Sequence, residues 1–90
     1  MEKVFVVQRV AKKLYATEAA VDGAMSQAAE LMADLLQARQ DVNVSSVVIE
    51  DAAAKIVEAI KALGEARSAM VGAHNELAEV KLRLGVRTKM

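Results

Sequence analysis

Apolar residues recur at alternating steps of three and four along two stretches of this 90-residue chain, and this pattern restricts the fold more than any other feature. The first stretch runs from Val7 to Val42 and the second from Ile49 to Leu84. Twenty-one of the twenty-two positions in the two series are apolar, and Thr17 is the exception. A seven-residue repeat of this length is typical of long α-helices in coiled-coil packing. We therefore predict an all-α fold.

The positions of each seven-residue repeat are lettered a to g, with Val7 and Ile49 both placed at a. The a residues are Val7, Leu14, Val21, Ala28, Leu35 and Val42 in the first stretch, and Ile49, Ile56, Leu63, Met70, Leu77 and Leu84 in the second. The d residues are Val10, Thr17, Ala24, Leu31 and Ala38, and Ala52, Ala59, Ala66, Ala73 and Val80. The four consecutive alanines at d allow helix backbones to approach toward the lower end of the roughly 8–10 Å packing range.

Poor helix formers cluster at residues 41–46, between the two stretches. Asn43 suits the position that follows a helix, because asparagine tolerates the left-handed backbone conformation. Ser45 or Ser46 can then cap the next helix by accepting from its first free amides. We interpret this segment as a turn that joins two helices.

The ends of the helices are also marked in the sequence. Gly85 is a natural terminator for the second helix, because glycine readily adopts the left-handed conformation after the last turn. The β-branched and aromatic run at residues 4–7 favours extended structure, so the first helix is expected to begin after it. We predict one domain over residues 1–90, with helix 1 at about 7–41, a turn at about 42–46, helix 2 at about 47–84 and a tail at 85–90.

A connection this short forces the two helices to lie antiparallel, as a helical hairpin. If the turn is centred after residue 43, residues whose numbers add to 87 should face each other, and the two apolar series obey that rule. Leu14 then faces Ala73, and Leu31 faces Ile56. Five of the nine layers pair a large side chain with alanine, an arrangement that lets facing layers interdigitate at interior density.

A second apolar stripe lies beside the first on both helices, and a single hairpin cannot cover it. We predict that this association stripe forms the interface of a homodimer, which gives a four-helix bundle. Its residues are Met25, Ala29, Met32, Leu36, Ala53, Val57, Ile60, Gly64 and Val71. The alternative partner for the stripe is a helix of a different protein.

Charge is distributed unevenly along the chain, although the net charge is zero. Residues 1–16 and 79–90 together carry a net charge of +6, and residues 17–65 carry −6. The hairpin therefore has a basic end at the termini and an acidic end at the turn. Packing two hairpins antiparallel sets opposite charges side by side, and exposed charges act over ~8–10 Å, so we expect an antiparallel dimer.

The basic end also supports an alternative function, in which it contacts nucleic-acid phosphates. The residues assigned to that contact are Arg9, Lys12, Lys13, Lys81, Arg83 and Arg87. The zero net charge and the presence of only Phe5 and Tyr15 as aromatic residues speak against nucleic acid as the partner.

Residue types that carry chemistry are scarce. The chain has no Cys and one His, which excludes a disulfide framework, a thiol nucleophile and a Cys/His zinc cluster. His74 has mainly apolar neighbours along its helix, and no acid occupies an a or d position, as a di-iron bundle would need. Glu18 is expected at the edge of the seam, facing Met70 and Arg67 as a structural ion pair. We predict no catalytic residues, no metal site and no cofactor.

The sequence as a whole predicts a non-enzymatic, self-associating helical-bundle protein with a structural or adaptor role. No apolar run approaches the roughly 18 residues of a membrane span, and the run at residues 4–7 is too short for a secretory signal. We expect a cytoplasmic location and no membrane partner. Two alternatives stay open: a nucleic-acid-associated accessory protein, and a chaperone-like protein that binds another protein's helix.

Overall fold

The computed structural model describes residues 2–42 and 46–87, and two helices account for nearly all of them. Helix α1 spans Glu2–Asp41 and helix α2 spans Ser46–Arg83. The all-α prediction is confirmed over these ranges. The predicted bounds of helix 2 lie within one residue of those of α2. The turn residues Asn43 and Ser45 lie outside the described residues, so their predicted roles stay predictions.

Helix α1 begins five residues earlier than the sequence predicts, and the β-prone run at residues 4–7 is helical. Val7 is buried and Val4 is half-buried. Val7 also lines one apolar groove with Leu77 and Val80 of α2. Burial against the end of α2 stabilises the helix here, because tertiary packing outweighs an intrinsic preference of less than about 1 kcal/mol per residue.

The two helices lie side by side and antiparallel, as an elongated hairpin. The molecule measures 63 × 17 × 14 Å, and a 40-residue helix is about 60 Å long, so each helix runs the full length of the rod. Leu14 of α1 and Ala73 of α2 line the same groove, so the two helices pack together where the predicted hairpin joins them. The helical hairpin follows from these contacts.

The contact between the helices is rotated from the predicted one. All a residues except Val42 and Leu84 are buried or half-buried, and so are all e residues except Arg39 and Arg67. At d, none of the described residues is buried, six are half-buried and four are exposed. Leu31, predicted to face Ile56 in the core, is 55% exposed. The hairpin is therefore closed by an a/e seam with the d row at its edge, and the prediction is wrong in placing d rather than e beside a at the centre of the seam.

Side-chain size explains the rotation. The e positions carry Met25, Met32 and Ile60, whereas the adjacent d positions include Ala24 and Ala59. In this part of the hairpin, turning each helix toward its e row buries more apolar area than turning it toward the alanines, at ~25 cal/mol per Å². The d row is consequently left on the flank of the hairpin.

The carboxyl end of α2 is closed by a Schellman motif. Gly85 has a φ of +78°, in the left-handed region. The Val86 N–H donates to the Lys81 carbonyl at 3.2 Å, and the Gly85 N–H donates to the Leu82 carbonyl at 3.0 Å. Val86 is buried, so the chain folds back over the last turn of the helix instead of leaving it.

Candidate functional site

The hairpin buries little apolar surface of its own. The buried hydrophobic residues are Val7, Ala11, Leu14, Ile49 and Val86, and no side chain in the described ranges is less than 2% exposed. Thirteen large hydrophobic residues are exposed, many more than scattered surface positions account for. Apolar surface left in water on this scale is typical of interaction sites, so the candidate site of this molecule is a surface.

The structure divides the predicted association stripe into two parts. Met25, Met32, Ala53, Ile60 and Gly64 are half-buried, and the first four lie at e positions in the a/e seam. The remaining members are exposed: Ala29, Leu36, Val57 and Val71. About half of the stripe is therefore used within the hairpin, and only a narrow row at the b positions stays available.

In the half of the hairpin nearer the termini, polar residues bridge the two helices on this same side. The Nδ1 atom of His74 lies 3.3 Å from each carboxylate oxygen of Glu18. The ring of Tyr15 packs against the imidazole with centroids 5.9 Å apart and planes tilted by 57°. His74 is thus held by α1 from two sides, and the sequence did not predict either contact.

A second bridge lies one turn closer to the hairpin's middle. The Nε–H of Arg67 donates to Asp22 Oδ1 at 2.9 Å. Glu18, which was predicted to pair with Arg67, pairs with His74 instead. The register accounts for part of the error: Tyr15–His74 and Asp22–Arg67 have residue numbers that add to 89, two more than the predicted 87, and Glu18–His74 adds to 92. Polar residues at b positions of α1 and at e positions of α2 could have indicated these contacts.

The other side of the a/e seam carries the d row of both helices. Val10 and Thr17 of α1 line one groove together with Ala73 of α2, so the two d rows share a face. This open face consists of Val10, Thr17, Ala24, Leu31 and Ala38 on α1, and Ala52, Ala59, Ala66, Ala73 and Val80 on α2. It extends over most of the hairpin's length and carries no charged residue at d.

Thr17 is the single polar residue of the open face, and its hydroxyl is satisfied within its own helix. The Oγ1 atom donates to the Lys13 carbonyl at 2.8 Å, the usual i−4 bond of a helical threonine. A hydroxyl engaged in this way loses no hydrogen bond when the face is covered. The open face therefore behaves as apolar along its whole length.

The basic end keeps most, but not all, of its predicted contact residues at the surface. Arg9, Lys12 and Lys13 are exposed and line one shallow depression on α1, and Arg83 and Arg87 are also exposed. Lys81 is 9% exposed, at an e position of the seam, so it does not belong to this basic surface.

Acidic and histidine side chains do not gather into a larger cluster: the described ranges contain no group of three or more that could hold a metal ion. The same residues include no helix that is both long enough and apolar enough to cross a membrane. Comparison with known proteins finds no matching protein family, no matching curated protein and no matching solved structure.

Proposed function

We propose that this chain is a non-enzymatic structural or adaptor protein that acts by associating with itself, two hairpins forming a four-helix bundle. The observation that carries the proposal is the combination of thirteen exposed large hydrophobic residues with the lack, among the described residues, of any side chain below 2% exposure. A stable domain normally has a core of fully buried side chains. Association with a second apolar surface would complete it.

The exposed area supports the same proposal. A compact protein of 9.6 kDa exposes about 5,100 Å², whereas this hairpin exposes 6772 Å². The difference, about 1,700 Å² per chain, is roughly twice the ~800 Å² that each partner contributes to a standard interface. One hairpin therefore has enough surplus surface for a stable homodimer.

The placement of His74 favours a structural role over catalysis. Its imidazole is held between the two helices by Glu18 and Tyr15, and both its side chain and that of Glu18 are about three-quarters covered. A general base needs a reacting group within hydrogen-bond reach. In this position the imidazole helps to fix the register of the hairpin.

The molar mass in solution tests self-association directly. We expect light scattering coupled to gel filtration at micromolar concentration to give about 19 kDa, twice the chain mass of 9.6 kDa. Circular dichroism on the same samples reports whether the chain is helical. A helical species of 9.6 kDa that persists at these concentrations contradicts the proposal.

A second candidate function is contact with nucleic acid through the basic end, which the exposed cluster of Arg9, Lys12 and Lys13 favours. Retention on heparin or DNA that falls steeply with salt is the expected sign of phosphate contacts. Charge reversal of Lys12, Lys13 and Arg83 should then abolish retention. Self-association alone predicts that added nucleic acid leaves the elution volume unchanged.

The third candidate, a chaperone-like protein that binds another protein's helix, rests on the exposed members of the association stripe. Leu36 and Val57 are exposed, whereas Met25 and Met32, the adaptable side chains of such a groove, are partly covered by the hairpin. Binding of an apolar dye that decreases as protein concentration rises would show that the surface is covered by self-association.

A further inference from the structure

We infer that a second copy of this chain binds to the open face, antiparallel to the first, with a two-fold axis that crosses the hairpin near Ala24 and Ala66. The inference rests on the proposed self-association and specifies its surface and orientation. It replaces the association stripe, where the sequence placed the interface, with the d row on the opposite flank.

The open face suits a long helix–helix contact better than the association stripe does. The Asp22–Arg67 and Glu18–His74 bridges occupy the stripe's side of the hairpin and would have to be covered there. Covering a charged pair costs desolvation that an apolar row does not. On the open face, alanines at d of α2 leave room for the close approach of a second pair of helices.

The charged residues that border the open face on α1 can pair with the same row of residues on a second, antiparallel copy of α1. Lys13 and Asp34 both lie at g, the row next to d, and Lys13 lines the same groove as Val10 and Thr17. When two copies of α1 lie antiparallel, Lys13 of one falls opposite Asp34 of the other if the axis passes between residues 23 and 24.

The g row of α2 has the same property. Lys55 and Glu76 fall opposite each other in an antiparallel pair if the axis passes between residues 65 and 66. Lys55 contacts Glu58 of its own helix at 3.4 Å, but both side chains are mostly exposed, and such a pair constrains Lys55 little.

The hairpin's own register makes these two midpoints coincide. Asp22 bonds to Arg67 and Tyr15 packs on His74, with residue numbers that add to 89 in both cases, and Glu18 reaches from the next turn of α1 to the same His74. In that register the point between residues 23 and 24 lies level with the point between residues 65 and 66. One two-fold axis therefore pairs opposite charges on both helices at once, as an isologous dimer requires.

Three alanine-to-glutamate variants at exposed positions identify the face. Ala66→Glu lies on the open face, Ala29→Glu on the exposed row of the association stripe, and Ala54→Glu at f, on neither surface. Near the axis, Ala66→Glu buries two carboxylates close together, so we expect the dimer dissociation constant to rise about a hundredfold. Ala29→Glu and Ala54→Glu should change it less than about threefold.

Charge exchange at the rim tests the orientation. Lys13→Asp or Asp34→Lys alone should weaken the dimer about tenfold, and the double variant should return to within about threefold of the natural chain. Lys12→Asp, the same change one residue away at f, is the matched control and should have little effect. In a parallel dimer Lys13 would face Lys13 of the second copy, so Lys13→Asp alone would leave the affinity nearly unchanged.

The outcomes separate this inference from the proposed function. Dissociation by Ala29→Glu but not by Ala66→Glu would overturn the open face and leave self-association intact. If the single variants Lys13→Asp and Asp34→Lys leave the dimer dissociation constant unchanged, the antiparallel orientation is wrong. A natural chain that is a folded monomer of 9.6 kDa would remove the second copy altogether and leave the face to a different protein. Circular dichroism checks that each variant stays helical. If Ala66→Glu unfolds, the recovery of affinity in the Lys13→Asp, Asp34→Lys double variant still tests the open face.

Discussion

Glu18 and His74 are 56 positions apart in the chain, and the His74 Nδ1 atom lies 3.3 Å from both oxygens of the Glu18 carboxylate. The two side chains are only 28% and 27% exposed. Together with Asp22–Arg67, this pair bridges α1 and α2 on one side of the seam. The bridges fix both the register of the hairpin and the side on which its apolar d row is left open.

We expect a measurable coupling between Glu18 and His74. Replacing each by alanine, singly and together, should give an interaction free energy of about 0.5–1.5 kcal/mol in urea unfolding, because the pair is mostly covered. The Lys55–Glu58 pair, with side chains 80% and 69% exposed, is the control and should couple by less than about 0.5 kcal/mol. Equal interaction free energies for the Glu18–His74 and Lys55–Glu58 pairs would show that the Glu18–His74 pair does not hold the helices together.

Two glycine-to-alanine changes should act in opposite directions. Gly85→Ala places a side chain at a φ of +78° and should destabilise the protein by about 1 kcal/mol. Gly72→Ala lies inside α2, where an added Cβ meets nothing within 4 Å, and should stabilise by about 0.5–1 kcal/mol. Thermal unfolding of both variants at one protein concentration checks the signs. Stabilisation by Gly85→Ala would contradict the assigned role of the Schellman motif.

Leu31 and Leu82 have nearly the same exposure in the hairpin, 55% and 59%, but only Leu31 lies on the open face. If a second copy covers that face, Leu31→Ala should destabilise the dimer by about 2 kcal/mol per chain or more, and Leu82→Ala by less than about 0.5 kcal/mol. Denaturant unfolding at fixed concentration measures both. Similar small losses of stability in both variants would show that no second copy covers the open face.

Unfolding should depend on protein concentration. If the dimer dissociates and unfolds in one step, a tenfold dilution lowers its free energy of unfolding by about 1.4 kcal/mol. This corresponds to a fall of roughly 3–6 °C in Tm. Thermal scans followed by circular dichroism over a hundredfold concentration range measure the slope. A Tm that does not move would indicate a monomer that is stable alone.

The heptad repeat and the break at residues 41–46 were enough to predict two long antiparallel helices, because seven-residue periodicity and turn residues are both local signals. The start of α1 was not predictable in this way. Val6 and Val7 are poor helix formers, and they are helical because they line a groove with residues of α2, which a local propensity does not include.

The interface between the helices was only partly predictable. The a and d rows are both apolar, and the repeat alone cannot say whether d or e turns inward. That choice depends on the larger side chains of Met25, Met32 and Ile60. The Glu18–His74 pair depends on the same rotation and on a register shifted by two residues, so it could be found only after the helices were placed together.

The position of the polar bridges implies unequal stiffness along the rod. Hydrogen bonds between the helices join residues 18–22 to residues 67–74, whereas the half-buried seam residues closer to the turn are mainly aliphatic. Hydrocarbon packing alone tolerates sliding and separation more readily than a directional bond does, and local opening starts where such bonds are scarce. Deuterium uptake should therefore be fastest next to the turn, which would be the first part of the molecule to open.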